Sequence, residues 1–310
     1  MTGYFLRRLL GSVPVLLAIV TATFFMARFV PGGPFDREKP VAPETLEALN
    51  AYYGLDAPLA GQYFRYLKNL ACGELGPSYK YQGWTVNELI ADKAAVSLEL
   101  GAYALAFALA FGLAAGIFAA VFSDTRAGRL TGAASLAGIC LPALVLGPVL
   151  ILLFSIRLGW FNAMGWAYPS DAVLPALTLG LFYSAWIARL ARASVLAELS
   201  KGYVRTARAK GCAPLKIYSV HVLRNAIQPV VSYMGPAAAG LLTGSFVVET
   251  IFQIPGLGRF FISSALDNDY TMIMGCVTVY AVFIVLFNLL SDMALAALNP
   301  RVARGMKGER

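Results

Sequence analysis

Six long runs of apolar residues constrain this chain more strongly than any other feature. Each run lacks charged side chains, except where the fourth extends past Arg189 and Arg192. A helix needs about 20 mostly apolar residues to cross about 30 Å of bilayer hydrocarbon. The sequence therefore predicts an all-α integral membrane protein with six transmembrane helices, at residues 9–27, 100–122, 130–156, 172–188, 226–248 and 272–291.

Composition supports a membrane protein. Only 14% of the residues are charged and 58% are hydrophobic, whereas soluble domains carry about 25% charged residues. The first apolar run could be mistaken for a secretory signal peptide. It is too long for the apolar region of such a peptide, and Arg28 and Pro31 follow it in place of a cleavage site. We therefore predict a retained signal-anchor helix.

The distribution of lysine and arginine predicts the orientation in the membrane. Segments 1–8, 123–129, 189–225 and 292–310 contain sixteen Lys and Arg against four Asp and Glu, and the remainder contains nine against thirteen. Positively charged loops stay on the cytoplasmic side, so both termini are predicted to be cytoplasmic. The net charge of +8 is then a signal of topology, and no nucleic-acid partner is expected.

Residue types argue against several kinds of site. Cys72, Cys140, Cys212 and Cys276 have neither paired nor metal-ligand spacing, and His221 is the only histidine. No disulfide framework, metal site or cofactor is therefore expected. A GxxxxGK[ST] phosphate loop is missing, and no carboxylate lies near the middle of a span, which disfavours a proton- or sodium-coupled carrier. Energy for uphill transport is expected to come from another protein.

Residues 32–95 form the one sizeable segment predicted on the periplasmic side. Proline and glycine signals predict one helix from Pro43 to Gly54 and a second from Pro58 to Gly73. Thr85-Val-Asn-Glu88 is a capping-box pattern that predicts the start of a helix leading into the second span. Two interpretations stay open: a helical cap on the membrane surface, or a contact surface for an external partner or the substrate path. Residues 1–31 hold the N-terminus and the first span, and residues 96–310 form the core with the other five spans.

Two further patterns each allow two interpretations. Small residues recur at every fourth position of the second span, at Ala104, Ala108, Gly112, Gly116 and Ala120. This stripe indicates close packing within the subunit, or else a subunit interface or a moving pore helix. Segment 249–271 combines a Pro-Gly turn with apolar residues, which is compatible with a loop that dips toward the membrane core or with a surface turn.

Residues 198–225, which we call the basic loop, carry the most specific pattern. Between Arg189 and Arg224 there are eight Lys and Arg and one acidic residue, Glu198. Residues 203–210 are good helix formers, Gly211 is suited to end that helix in a left-handed conformation, and Pro214 can begin another. A helix, a glycine and a second helix predict a docking element; a basic loop that only marks topology is the alternative.

The basic loop also carries a family resemblance. Tyr203-Val-Arg-Thr-Ala-Arg-Ala-Lys-Gly211, His221-Val-Leu-Arg-Asn-Ala226 and Pro229 resemble the cytoplasmic loop of ABC-transporter permeases of the peptide class. Similar stretches cover essentially the whole chain. They are Phe5-Leu-Arg-Arg8, Val30-Pro-Gly-Gly-Pro-Phe35, Gly73-Glu-Leu-Gly-Pro-Ser78, Ser232-Tyr-Met-Gly-Pro236, Gly244-Ser-Phe-Val-Val-Glu-Thr250, Ile254-Pro-Gly-Leu-Gly258, Asp269-Tyr270 and Asn299-Pro300.

Two details refine the resemblance. Gly76-Pro-Ser-Tyr-Lys-Tyr81 and Val86-Asn-Glu-Leu89 are similar to the B-type permease of oligopeptide importers rather than to the dipeptide type. The wider importer family has Glu-Ala-Ala before its glycine, whereas this chain has Arg205-Thr-Ala207. A role of that glutamate therefore does not carry over to this chain.

The resemblance implies a type I ABC importer permease in the bacterial inner membrane. It implies a pore formed with a C-type permease, two cytoplasmic ATPases and a periplasmic peptide-binding protein, with no catalysis by this chain. In the family, the loop forms a coupling helix in a cleft of the ATPase. The implied coupling residues are Tyr203, Arg205, Thr206, Ala207, Arg208 and Gly211.

Alternatives to this assignment stay open at three levels. Arg205 and Arg208 could instead bind anionic membrane lipid. The same architecture could serve dipeptides, glutathione or nickel complexes in place of oligopeptides. A self-sufficient carrier or channel is disfavoured by the uncharged spans. No residue is assigned to substrate binding.

Overall fold

The computed structural model describes residues 2–29, 43–81 and 83–298, and most of these residues are helical. The helices are α1 (Thr2–Phe29), α2 (Pro43–Tyr53), α3 (Leu59–Ala71), α4 (Val86–Val121), α5 (Arg126–Cys140), α6 (Ala143–Leu150), α7 (Val173–Leu199), α8 (Gly202–Ala209), α9 (Pro214–Lys216), α10 (Leu223–Ala226), α11 (Gln228–Ile251), α12 (Leu257–Leu266) and α13 (Tyr270–Leu298). Wider π-helical turns continue α6 over Ile151–Arg157 and α9 over Ile217–Val222, and a 3-10 turn, Pro169–Ala172, precedes α7. The motifs at residues 30–35 and 299–300 lie outside the described residues.

The predicted all-α membrane fold is confirmed. Five helices are long and apolar enough to cross a membrane, namely α1, α4, α7, α11 and α13. If α5 and α6 together form one bent span, the described residues contain six candidate spans. The span predicted over 130–156 is a broken one, because α5 and α6 meet at an angle of 105°. Leu141 is extended there, with φ −86° and ψ 110°. Pro142 causes this break, since a proline disfavours the helical conformation of the residue before it.

Helices α4 and α7 form the most extensive helix pair of the described fold. The predicted small-residue stripe is buried along α4, and its glycines let the backbones approach closely. A Cβ atom on Gly116 would lie 2.4 Å from the carbonyl oxygen of Ala188, and one on Gly112 would lie 2.7 Å from that of Ser184. The stripe therefore packs inside the subunit, because only a residue without a side chain fits at these two positions.

The local signals in segment 32–95 correspond to observed helix ends. Gly54 and Gly73, with φ of +64° and +80°, follow α2 and α3. The predicted capping box is present: the Thr85 side chain accepts from the Glu88 N–H, and the Glu88 carboxylate accepts from the Thr85 N–H. Helix α4 runs from this cap through the second span without interruption. The boundary that the sequence analysis placed between segment 32–95 and the core therefore lies within a continuous helix.

Helix α3 packs on the ends of two spanning helices. Phe24 of α1 is fully buried and contacts the rings of Tyr63 and Tyr66 in α3. The Arg28 guanidinium lies 5.1 Å from the centre of the Phe24 ring and 5.8 Å from that of Tyr270, which begins α13. These contacts attach the described part of segment 32–95 to one end of the helix bundle.

Candidate functional site

Helix α8 has one inward face and one outward face, and this divides the coupling residues implied by the sequence. Val204 and Ala207, one turn apart, are buried, whereas Arg205, Thr206 and Arg208 are exposed. Ala207 was grouped with the contact residues, but its methyl group packs against the protein interior. The available surface of α8 is therefore basic, with Arg205 and Arg208 also one turn apart.

The inward face of α8 is attached to the ends of two spanning helices. Val204 and Ala207 share an apolar cluster with Ala120 at the end of α4 and Val195 near the end of α7. Ile217 and Val222 from the second half of the basic loop, with Ala226 directly after it, complete this cluster. Helix α8 is therefore packed as one dense unit with the ends of α4 and α7.

A network around Glu198 braces the basic loop from within. The Tyr203 hydroxyl donates to Oε2 of Glu198 at 2.6 Å, and the Lys201 ammonium donates to Oε1 at 2.5 Å. Asn225 Nδ2 donates to the Tyr203 hydroxyl oxygen at 3.4 Å. The carbonyl oxygen of His221 lies 3.1 Å from the same Tyr203 oxygen. The Tyr203 hydroxyl thus joins the end of α7 to both halves of the loop.

The network stabilises the protonated forms of its two donors. Its hydrogen bond to Glu198 raises the pKa of Lys201, and partial burial together with the Glu198 carboxylate raises the pKa of Tyr203. The sequence analysis assigned Tyr203 to an external contact and gave Glu198 no role. The available signal was that Glu198 is the only acidic residue among eight basic ones.

Gly211 ends α8 as the sequence predicts. Its φ is +73°, and the amide N–H groups of Gly211 and Cys212 donate to the carbonyl oxygens of Arg208 and Ala207 at 3.0 and 3.2 Å. This is the Schellman pattern of a helix end with glycine in a left-handed conformation. Pro214 then begins α9, also as predicted. The turn holds the two halves of the basic loop at a defined angle.

A recess lies beside the exposed basic face of α8. It has a volume of about 260 Å³ and is lined by Arg208, Cys212, Pro214, Ile217 and Tyr218. The exposed basic face of α8 and this recess are therefore adjacent surface features, with Arg208 common to both.

Glu249 is a buried carboxylate whose structural role the sequence analysis missed. It is fully buried in α11 and accepts from the hydroxyl groups of Ser97 and Ser245, each at 2.7 Å, and from the Arg259 N–H at 3.0 Å. Ser97 Oγ in turn accepts from the Leu257 N–H at 2.8 Å. Glu249 and Ser97 together satisfy two free amides at the start of α12, as a capping residue would.

Close approach of residues in α11 explains both glycines of Ile254-Pro-Gly-Leu-Gly258. A Cβ atom on Gly256 would lie 2.5 Å from the Glu249 carboxyl group, and one on Gly258 would lie 2.6 Å from Cα of Phe246. Both open interpretations of segment 249–271 lacked a helix. The segment instead contains α12, which packs against α4, α11 and α13.

Asp269 forms a second buried clamp, at the start of α13. Its carboxylate accepts from the Met272 N–H at 3.1 Å and from the Ser78 hydroxyl at 2.5 Å. Thr271 donates to the carbonyl oxygen of Pro77 at 2.7 Å. The motifs at residues 73–78 and 269–270 thus join segment 32–95 to the last spanning helix, and their role in the described structure is architectural.

Comparison with known proteins identifies related chains over nearly the full length. Residues 112–304 match the family described as binding-protein-dependent transport system inner membrane component, and residues 1–84 match its N-terminal membrane-component family. The oligopeptide transport system permease protein OppB of Haemophilus influenzae is 39% identical over 304 residues, which cover 97% of this chain and 99% of that protein. OppB of Salmonella typhimurium is 40% identical, also over 97% of this chain and 99% of that protein. The dipeptide transport system permease protein DppB of Bacillus subtilis is 40% identical over 99% of this chain and 100% of that protein.

Solved structures of transporters share the fold. An inward-facing structure of the MetNI methionine ABC transporter matches with a TM-score of 0.57 at 17% identity, over 68% of this chain and 96% of that one. An amino acid ABC transporter matches with a TM-score of 0.55 at 19% identity, over 68% and 94% of the two chains. At these identities the likeness concerns the helical architecture alone.

Proposed function

The chain belongs to the family of binding-protein-dependent transport system inner membrane components, and from this premise we propose that it is a pore subunit of an ATP-driven importer of oligopeptides. It is a multi-pass protein of the bacterial inner membrane and a permease subunit, not an enzyme. Such permeases work with a partner permease, with separate ATPase subunits that hydrolyse ATP, and with a substrate-binding protein.

The proposed assembly is specific about partners and orientation. The chain pairs with a C-type permease, two ATPases bind on the cytoplasmic side, and a periplasmic protein delivers the peptide. Both termini and the basic loop face the cytoplasm, and segment 32–95 faces the periplasm. The excess of lysine and arginine in segments 1–8, 123–129, 189–225 and 292–310 supports this orientation.

One observation carries the proposed coupling: α8 exposes a basic face while its apolar face is packed on the ends of α4 and α7. Arg205, Thr206 and Arg208 contact the ATPase, and Gly211 sets the angle of the turn behind them. Tyr203 stiffens the loop through Glu198. Closure of the ATPase dimer moves α8 as a rigid body, and α4 and α7 follow. The coupling step thus requires no chemistry in this chain.

The coupling proposal predicts that both arginines of α8 are needed for ATPase binding. In the assembled importer, Arg205→Ala with Arg208→Ala removes the two basic contacts, and each interface arginine is expected to cost about 1–2 kcal/mol of affinity. Co-purification of the ATPases and peptide uptake should therefore both fall by an order of magnitude or more.

Arg224→Ala is the matched control for this experiment. Arg224 is also exposed and basic, but it lies in α10, away from the outward face of α8. If the double variant binds the ATPases as the control does, the coupling assignment is wrong. If it retains the ATPases but loses its dependence on anionic lipid, Arg205 and Arg208 contact the membrane instead.

The proposal also specifies the length of the transported peptide, with oligopeptides preferred over dipeptides. Oligopeptide and dipeptide permeases are almost equally similar to this chain, at 39% and 40% identity. Uptake of labelled dipeptides, pentapeptides, glutathione and nickel complexes by proteoliposomes with the complete importer would rank these substrates. We expect pentapeptides to be preferred. Uptake by the chain alone without nucleotide would overturn the importer assignment altogether.

A further inference from the structure

A second basic cavity lies apart from the coupling surface. It has a volume of about 410 Å³, lies between α4, α5 and α7, and is formed where α4 ends, α5 begins and α7 approaches the basic loop. Its lining residues are Ala119, Arg129, Gly132, Ala133, Ser135, Leu136, Ala188, Arg189 and Arg192. No residue of α8 lines it, so the coupling proposal does not account for it.

Three arginines line this cavity without an acidic partner in the described part of the chain. The ion pairs of the described residues join other groups, namely Arg8–Asp292, Lys80–Asp267, Lys93–Asp92 and Lys201–Glu198. Of the three, Arg192 Nε donates to the carbonyl oxygen of Ala119 at 3.4 Å, and the Arg189 guanidinium lies 6.0 Å from the centre of the Trp186 ring. Three positive charges at one cavity create a strong attraction for an anion.

The remaining walls of the cavity are apolar apart from Ser135. Ala133 and Leu136 contribute from α5 and Ala188 from α7, and the Leu136 side chain is 51% exposed. The cavity lies where the predicted second and fourth spans end and the third begins, which is the depth expected for lipid headgroups. An occupant that suits these walls is anionic at one end and apolar at the other.

We propose that this cavity binds the headgroup phosphate of an anionic phospholipid, with an acyl chain along Leu136. Guanidinium groups match phosphate geometry and retain their charge, and basic pockets between spanning helices bind anionic headgroups. The volume of about 410 Å³ falls within the range of roughly 300–1,000 Å³ of small-molecule sites. A bound headgroup ties α5 to the ends of α4 and α7, which also carry α8.

A photo-cross-linking experiment tests this assignment in the assembled importer. Leu136→p-benzoylphenylalanine places the reactive group at the cavity wall, and nanodiscs contain either phosphatidylcholine alone or an equimolar mixture with phosphatidylglycerol. Mass spectrometry should find a phosphatidylglycerol adduct in the mixture and little adduct with phosphatidylcholine. Addition of Arg129→Gln and Arg189→Gln should reduce the adduct roughly tenfold, because charge-assisted hydrogen bonds to the phosphate are lost.

Two variants control for folding and for general charge. Arg126→Gln removes an equally exposed arginine three positions earlier, at the start of α5 and outside the cavity lining, and should leave the adduct unchanged. Arg129→Lys with Arg189→Lys keeps both positive charges and should retain most of it.

Four results would overturn the proposal. They are equal adducts with both lipids, equal loss in Arg126→Gln, a cross-link to the partner permease in place of lipid, and displacement of the adduct by inorganic phosphate at the lipid's concentration. The last would assign the cavity to a soluble anion.

Discussion

At the scale of the residue, two different constraints restrict which side chains are tolerated. One is a left-handed backbone conformation and the other is a buried charge. Gly211 is left-handed with φ +73°, yet a Cβ atom there would have no neighbour within 4 Å. Glycine is therefore favoured at position 211 by the backbone conformation and not by a lack of space for a side chain. Glu249 has the opposite character, because its backbone is ordinary helix while its carboxylate is fully buried among hydrogen-bond donors.

Substitution of Gly211 should uncouple ATP hydrolysis from peptide uptake. Gly211→Val forces a β-branched residue into a left-handed conformation, which costs about 1–2 kcal/mol or more and shifts α9 relative to α8. ATP hydrolysis should then continue while peptide uptake falls several-fold. Gly211→Asn is the matched control, since asparagine tolerates this conformation. Wild-type uptake per ATP in Gly211→Val would contradict the proposed role of the turn.

Removal of the Glu249 carboxylate should destabilise the start of α12. Glu249→Ala leaves the partly buried Arg259 N–H and the buried Ser97 and Ser245 hydroxyl groups without this acceptor, and each buried donor left unpaired costs about 1–3 kcal/mol. The purified protein should therefore unfold at a lower temperature. Glu99→Ala is the control, because Glu99 is exposed and accepts only from Tyr103 at 3.1 Å among the described hydrogen bonds. Equal midpoints for the two variants would exclude a capping role for Glu249.

At the scale of the element, close helix approach and helix breaks set the architecture. Helices in a membrane gain little from hydrophobicity when they associate, so small residues and tight packing hold them together. The α4–α7 pair follows this rule through Gly112 and Gly116. Proline acts in the opposite direction at Pro142, where it separates α5 from α6 at an angle of 105°.

A single methyl group should be enough to disturb the α4–α7 pair. Gly116→Ala places a Cβ atom 2.4 Å from the Ala188 oxygen, and such overpacking costs about 1–3 kcal/mol. Gly11→Ala in α1 is the matched control, because a Cβ there has nothing within 4 Å. The thermal unfolding midpoint should fall for Gly116→Ala and stay constant or rise for Gly11→Ala. The reverse order would contradict the packing explanation.

At the scale of the whole molecule, orientation in the membrane follows from charge distribution and not from the fold. Two cysteines lie on opposite sides in the proposed topology. Cys72, at the end of α3, is exposed, and Cys212, directly after Gly211, is partly exposed. Native residues therefore provide reporters for the two sides.

Cysteine labelling should determine this orientation directly. In single-cysteine variants, a membrane-impermeant maleimide is expected to label Cys72 in spheroplasts and Cys212 only in inside-out vesicles. Cys276 is buried and serves as the unreactive control. Labelling of Cys212 in intact spheroplasts would reverse the proposed topology and place the basic loop away from cytoplasmic ATPases.

What the sequence determined by itself is local. Five spans, the capping box at Thr85, the glycine end of α8 and the proline start of α9 all depend on neighbours within one or two turns, so pattern alone predicts them. Tertiary structure decided that Ala207 packs in an apolar cluster with Ala120 of α4 and that the exposed Tyr203 hydrogen-bonds Glu198. It also paired Glu249 with Ser97, 152 positions away, and gathered Arg129, Arg189 and Arg192 at one cavity. Contacts of this range depend on how whole helices pack, and helix packing is a property of the assembled chain rather than of any one apolar run.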